Sequence, residues 1–448
     1  MLFPVRVAAI VVGLGASGMW AQTGAQIGTQ TGAQAKRPKV VVISLDAFAA
    51  ESLRDPLLPA PTLHRLMKAG VYATAMQPIN PTVTWPNHTA MVSGVNASKH
   101  HVVVNGLVVG QRESMAPKIE PHIPKAQLVA VPTVYDVAHA AGLVTAEVDW
   151  VAIEKADGIT WRVPEWPDPD GPIEQDLIAQ GVVSRADLVR FHKGPSQAWR
   201  DQIYTASAAD IIRKHHPDLM LLHLLALDGI EHGTGFGNDS GRNTIAFLDD
   251  RVKEIVDAVR EAGDLDQTTF LIVSDHGQQS VQHQLHATVL LKGLAQPAFC
   301  IPESGYALCY QKGATAGSIA ALKAVFAGKP GVRAALSAAE AAKDGWPLPS
   351  ATDQGADVVL YARNGYSFSG GDTGPFVTDS AKETGAHGYL NSEPLMQAIF
   401  IASGAGIAAK GEIPAFQNLD VAPTIARLLG VTLKNVDGKA LEGIYTAK

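Results

Sequence analysis

Three apolar runs in this chain each end on an acid, and that pattern constrains its fold more than anything else in the sequence. Lys39 to Leu45 runs into Asp46. Leu219 to Leu225 stops just before Asp228. Phe270 to Val273 is followed by Ser274 and then Asp275-His276. A short apolar run, β-branched in the case of Lys39 to Leu45, has no polar face to show to water, so it reads as a strand buried on both sides, as in a parallel sheet. Between these runs the apolar residues recur at helical spacing. Thr62 to Ala69 carries Leu63, Leu66 and Met67, with Thr62 as the expected cap and Gly70 as the stop. Thr133 to Ala141 turns Val134, Val137 and Ala138 inward before Gly142. Ile245, Leu248, Val252, Ile255, Val256 and Val259 mark a long amphipathic helix. Leu143 to Val148 and Gln397 to Ala402 read as further strands, and Val421 to Leu429 as a helix stopped by Gly430. Strands alternating with helices predict an α/β fold with a mainly parallel central sheet and helices on both faces. Open α/β sheets gather their ligands beyond the C-terminal ends of the strands, where Asp46, Asp228, Asp275 and His276 fall.

The 448 residues suffice for one large domain with insertions, and 46% apolar content supports a large core. A formal net charge of −7 argues against a role coating nucleic acid. Arg6 followed by the apolar Val7 to Leu14 reads as a signal peptide over 1–21, too short to span a bilayer. The tract from Gln22 to Ala35 reads as a flexible leader over 22–37, and 38–448 as the catalytic domain. The expected setting is therefore periplasmic or secreted, with no membrane span left after the signal is removed. In that setting Cys300 and Cys309 favour a local disulfide, the alternative being two buried thiols. Two stretches depart from the strand–helix alternation. One is the Pro- and Trp-rich 121–199. The other is 286–385, read as an inserted cap.

The chemistry gathers around Thr84, in the turn Pro81-Thr-Val-Thr-Trp-Pro-Asn-His88. Asp228 and His232 lie four apart, so one helical turn would align them. With Asp46, Asp275, His276 and His387 they make a shell of carboxylates and imidazoles suited to Zn²⁺ or a similar divalent ion. A threonine hydroxyl is a weak nucleophile unless a metal lowers its pKa. A helix starting at this turn would also favour an anionic phosphoryl group. Two ions would clamp the attacking and departing oxygens of an in-line displacement at phosphorus.

Val41-Val-Ile-Ser-Leu-Asp46, Thr84-Trp-Pro-Asn-His88 with Ser93-Gly94, Asp228 with His232, Ser274-Asp-His-Gly277 and Gly385-Ala-His-Gly388 together resemble the alkaline phosphatase superfamily. Within it, the chain resembles the nucleotide pyrophosphatase/phosphodiesterase family. The resemblance implies two zinc ions. Asp228, His232 and His387 would hold one, and Asp46, Asp275, His276 and the Thr84 oxygen the other. It implies attack by Thr84, a phosphothreonine intermediate, Asn105 as a donor to a non-bridging phosphoryl oxygen, and Trp85 in the pocket for the leaving group or base. The implied substrate is a small phosphodiester or nucleotide. Two departures stand out: Ala47 replaces the usual glycine, and Glu231 adds an acid beside His232. The alternative on the same site is a phosphomonoesterase or phosphonate hydrolase. Such sites take an extra cation for the dianionic phosphate, and Lys99 is the one basic residue near the Thr84 motif. A sulfatase motif would need x-Pro-x-Arg after its nucleophile, which is missing.

Overall fold

The computed structural model describes residues 37–446. The expected signal peptide, and all of the expected leader except Arg37, lie outside them. The eight strands of the central sheet are β1 (Lys39–Leu45), β2 (Val71–Ala73), β3 (Thr145–Val148), β4 (Trp161–Val163), β5 (Leu219–Leu224), β6 (Thr268–Val273), β7 (Phe400–Gly404) and β8 (Gly411–Ile413). Their order is β8-β2-β7-β6-β1-β5-β3-β4. The block β6-β1-β5-β3-β4 is parallel throughout, whereas β7 runs antiparallel to both β6 and β2. All seven residues of β1 are buried. Val41, Ile43 and Leu45 join one core cluster, and Val40 and Val42 join another on the opposite face. The strand is covered on both sides, which is why its sequence is continuously apolar rather than alternating.

The helices Pro61–Ala69, Gln197–His215 and Asp239–Glu261 contribute to the first cluster. Val134–Ala140 and Val421–Leu429 contribute to the second. The first of these corrects the sequence reading in one respect. Thr62 lies inside the helix and does not cap it, because Pro61 occupies the opening position. The cap comes from far away in sequence: the buried Asp249 carboxylate accepts the N–H groups of Thr62 at 2.9 Å and Leu63 at 2.7 Å. Proline suits the opening position because it has no N–H to satisfy. Thr133 caps its helix, in a capping box with Asp136.

The irregular stretch 121–199 is less separate than its composition suggests, since it supplies β3 and β4 to the sheet edge. Seven further strands between 279 and 386 build two smaller sheets. Gln279–Leu285 pairs with Gly365–Phe368 and Val377–Ala386, and a four-stranded sheet combines Ala298–Glu303, Tyr306–Gln311, Val358–Ala362 and Val332–Ser337. Cys300 and Cys309 lie directly opposite one another in this second sheet and form a disulfide.

Candidate active site

Parallel strands deliver the acids to one edge of the sheet. Asp46 follows β1, and Asp275 and His276 follow its neighbour β6. β5, on the other side of β1, leads into the helix Ala226–Thr234, which carries Asp228 and His232 one turn apart. His387 arrives from the smaller sheet, directly after the strand Val377–Ala386. Thr84 opens the buried helix Thr84–Ser93.

The six acids and imidazoles form a single cluster. His276 Nε2 lies 3.1 Å from Asp275 Oδ2, 3.6 Å from Asp46 Oδ1 and 3.4 Å from the Thr84 hydroxyl. Asp228 Oδ1 is 3.2 Å from His232 Nε2 and 3.8 Å from His387 Nε2. The rings of His276 and His387 stack with centroids 4.0 Å apart. Two groups of candidate ligand atoms, each within 4.8 Å of one another, are Asp46/Asp275/His276 and Asp228/His276/His387. His276 thus stands between them, while His232 flanks Asp228.

Two observations bear on whether these residues fit metal ions. Asp46 Oδ1, Asp228 Oδ1 and Asp275 Oδ2 are buried with no hydrogen-bond partner among the described residues. Burying unpaired carboxylate oxygens is expensive unless a cation offsets it. The second observation is orientation. Each imidazole turns Nδ1 to a backbone carbonyl: His232 to Gly385 at 3.0 Å, His276 to Gly277 at 3.0 Å and His387 to Thr82 at 3.2 Å. That arrangement holds Nε2 of all three toward the carboxylates, as in metal-ligating histidines. The donor set fits zinc.

The electrostatics follow from this crowding. Burial, together with Asp275 and Asp228, pushes Asp46 well above the usual carboxylate range. Burial also works to raise Asp275, but His276 and His88 outweigh it and hold the group at about 2. Burial opposes protonation of His232, yet Asp228 carries it up to about 9. His387, buried beside His276, is pushed down to about 3 and is therefore neutral, as a ligand must be.

The remaining sequence candidates divide. Asn105 Oδ1 accepts the Trp85 N–H at 2.9 Å, which fixes the carboxamide next to Thr84 with Nδ2 left as a donor. That bond also limits the helix terminus as an anion site, since Trp85 N–H is taken and Pro86 has none. Trp85 lines a largely apolar cavity of about 350 Å³ together with Ile123, Trp150, Val151, Ile153 and Trp166. Glu231 turns away from the cluster and accepts the Gly237 N–H at 3.3 Å. Lys99 pairs with Asp437.

Sequence reasoning missed three groups that support the cluster. His223 lies within β5, where it was absorbed into an apolar run; an imidazole in a strand covered on both faces was the available signal. Asp149 sits just after β3 and Asp201 inside the helix Gln197–His215, and neither has a distinguishing motif. Arg162 and Lys155 also reach the cavity wall. Arg162 donates to Ala156 O at 2.6 Å and Ile159 O at 3.0 Å, and Lys155 pairs with Glu154 at 3.3 Å.

A parallel sheet with this acid and imidazole cluster at its C-terminal edge and a threonine at a helix start defines a hydrolase of the alkaline phosphatase superfamily. The model of the type I phosphodiesterase/nucleotide pyrophosphatase family matches residues 40–390, and the chain belongs to that family. It is 21% identical over 411 residues to the bis(5'-adenosyl)-triphosphatase ENPP4 of Bos taurus, covering 89% of this chain and 79% of that protein. Over 243 residues it is 23% identical to ectonucleotide pyrophosphatase/phosphodiesterase family member 1 of Homo sapiens, covering 54% of this chain and 24% of that protein. The fold matches an inactive variant of murine ectonucleotide pyrophosphatase/phosphodiesterase 5 in complex with AMP, with a TM-score of 0.70 at 18% identity, over 90% of this chain and 98% of that one. The human counterpart matches with a TM-score of 0.69 at 18% identity, over 90% and 97%.

Proposed function

We propose that this enzyme cleaves phosphodiester or nucleotide pyrophosphate bonds by in-line attack of Thr84 on phosphorus, with two divalent ions, zinc by donor chemistry, held by Asp46, Asp228, His232, Asp275, His276 and His387. One observation carries the reading: the Thr84 hydroxyl lies 3.4 Å from His276 Nε2, at the edge of three buried carboxylate oxygens without partners. When bound, such ions supply the positive charge that stabilises the attacking and departing oxygens. The chain supplies the rest. The Thr84 oxygen forms the new P–O bond as the leaving oxygen departs on the opposite side, giving a phosphothreonine that water then hydrolyses. Asn105 Nδ2 donates to a non-bridging oxygen, its amide held by the Trp85 N–H. The Trp85-lined cavity takes the leaving group or base and excludes water from it. Of the cations that line the cavity, Arg162 is engaged by carbonyls and Lys155 pairs with Glu154, and Lys99, the basic residue closest to the Thr84 motif in sequence, pairs with Asp437. That favours a singly charged diester over a dianionic monoester. An exported setting accords with the Cys300–Cys309 disulfide. Among the described residues no helix is long and apolar enough to cross a membrane.

The test compares bis-p-nitrophenyl phosphate with p-nitrophenyl phosphate, with and without chelator. Faster, chelator-sensitive turnover of the diester is expected. A preference for the monoester would overturn the assignment.

A further inference from the structure

Asp46 is held from behind by a residue pair that the reaction itself does not use. His223 sits on β5 opposite Ser44 of β1, so its ring reaches the carboxylate that ends the neighbouring strand. Its Nε2 lies 3.0 Å from Asp46 Oδ2. Its Nδ1 is hydrogen-bonded to the Asp149 carbonyl at 3.1 Å and lies 3.3 Å from carboxylate Oδ2, which is buried without a hydrogen bond among the described residues. All three residues are at most 1% exposed. Asp149 takes up a left-handed backbone, φ 56°, where a non-glycine residue is uncommon. A strained backbone and a buried acid persist only where the surroundings over-determine them, and such outliers collect at functional sites. Because His223 occupies Asp46 Oδ2, the oxygen left without a partner is Oδ1, the one 3.6 Å from His276 Nε2.

We infer that His223 and Asp149 are positioning residues: Asp149 orients the imidazole, and the imidazole fixes the Asp46 carboxylate so that Oδ1 is presented to the ion at Asp46, Asp275 and His276. The inference rests on the metal reading proposed above. Outer partners of metal ligands typically change affinity 10–100-fold when removed. The effect is confined to one ion, since neither residue contacts Asp228, His232 or His387 in a hydrogen bond or ion pair.

The experiment measures zinc per chain in the full-length protein, equilibrated against graded free zinc in a chelator buffer. Wild type, His223→Asn and the near-isosteric Asp149→Asn are compared. One of two zinc ions should leave His223→Asn at 10–100-fold higher free zinc than wild type, with the other unchanged. Asp149→Asn should shift the same ion by less, and saturating zinc should restore kcat in both with little change in KM. Two ions retained at wild-type affinity in both variants would overturn this inference alone. So would parallel loss of both ions with a lowered melting temperature of the metal-free protein, which marks a merely structural role. A wild-type chain that binds no divalent ion would instead overturn the metal reading and this inference with it.

Discussion

Asp201 offers the sharpest test of how the fold builds this site. It is fully buried in the helix Gln197–His215. One carboxylate oxygen accepts the Leu225 N–H at 2.9 Å and the other accepts the Ala226 N–H at 2.8 Å. Those two N–H groups open the helix that carries Asp228 and His232. Asp201→Ala strips both donors of their acceptor in a place water reaches poorly. Each orphaned buried donor costs roughly 1–3 kcal/mol, so the pair should cost about 4 kcal/mol. Asp201→Asn should cost about half of that, because its carbonyl satisfies one N–H while its amide confronts the other with a second donor. Urea unfolding in excess chelator isolates this term from metal linkage. Zinc retention read in parallel should fall for the Asp228 site. Asp249→Ala is the matched control. It orphans Thr62 and Leu63 N–H in the same way but at a helix without ligands, so it should lower stability comparably and leave zinc binding intact. An Asp201→Ala loss below about 1 kcal/mol would refute the argument that this carboxylate holds the ligand helix.

Thr84→Ala should lower kcat by roughly 10³-fold or more while zinc per chain is unchanged; normal turnover would remove Thr84 as nucleophile. Zinc affinity should rise with pH, by about tenfold per unit below pH 9, because an ion must displace the proton that Asp228 keeps on His232 at a pKa of about 9. A competition titration from pH 6 to 9 reads this directly, and a flat profile would contradict it. The sign reverses for the metal-free protein. There the raised His232 pKa means the pair with Asp228 contributes stability fully below the unfolded value near 6.5, and that contribution is lost as pH rises through 9. Urea midpoints of the chelated protein at pH 6 and 9 should differ in that direction.

Much of the fold was legible because burial leaves a mark on every residue of a strand. Lys39–Leu45 and Thr268–Val273 are covered on both faces, so their apolar runs gave them away, and the acids after them were conspicuous by contrast. Trp161–Val163 was missed because three residues are too few to establish a pattern. The cap on Pro61–Ala69 was misread because its acceptor, Asp249, lies 187 residues away.

The site divides along the same line. Order along the chain marked Asp46, Asp228, Asp275 and His276 as one group, because strand ends in a parallel sheet converge at one edge, while Thr84, His232 and His387 joined them only through the motifs of the family resemblance. Local sequence could not say which carboxylate oxygen is left bare, that His276 belongs to both groups of candidate ligand atoms, or that Glu231 turns away. Nor could it show that His223 reaches Asp46, that Asp149 lies against His223, or that Asp201 accepts N–H groups at the start of the helix carrying Asp228. Those facts depend on distances between segments far apart in the chain. Hydrogen bonds and ion pairs are decided within a few ångströms in space, a length over which sequence separation carries no information until the sheet has brought its strands together.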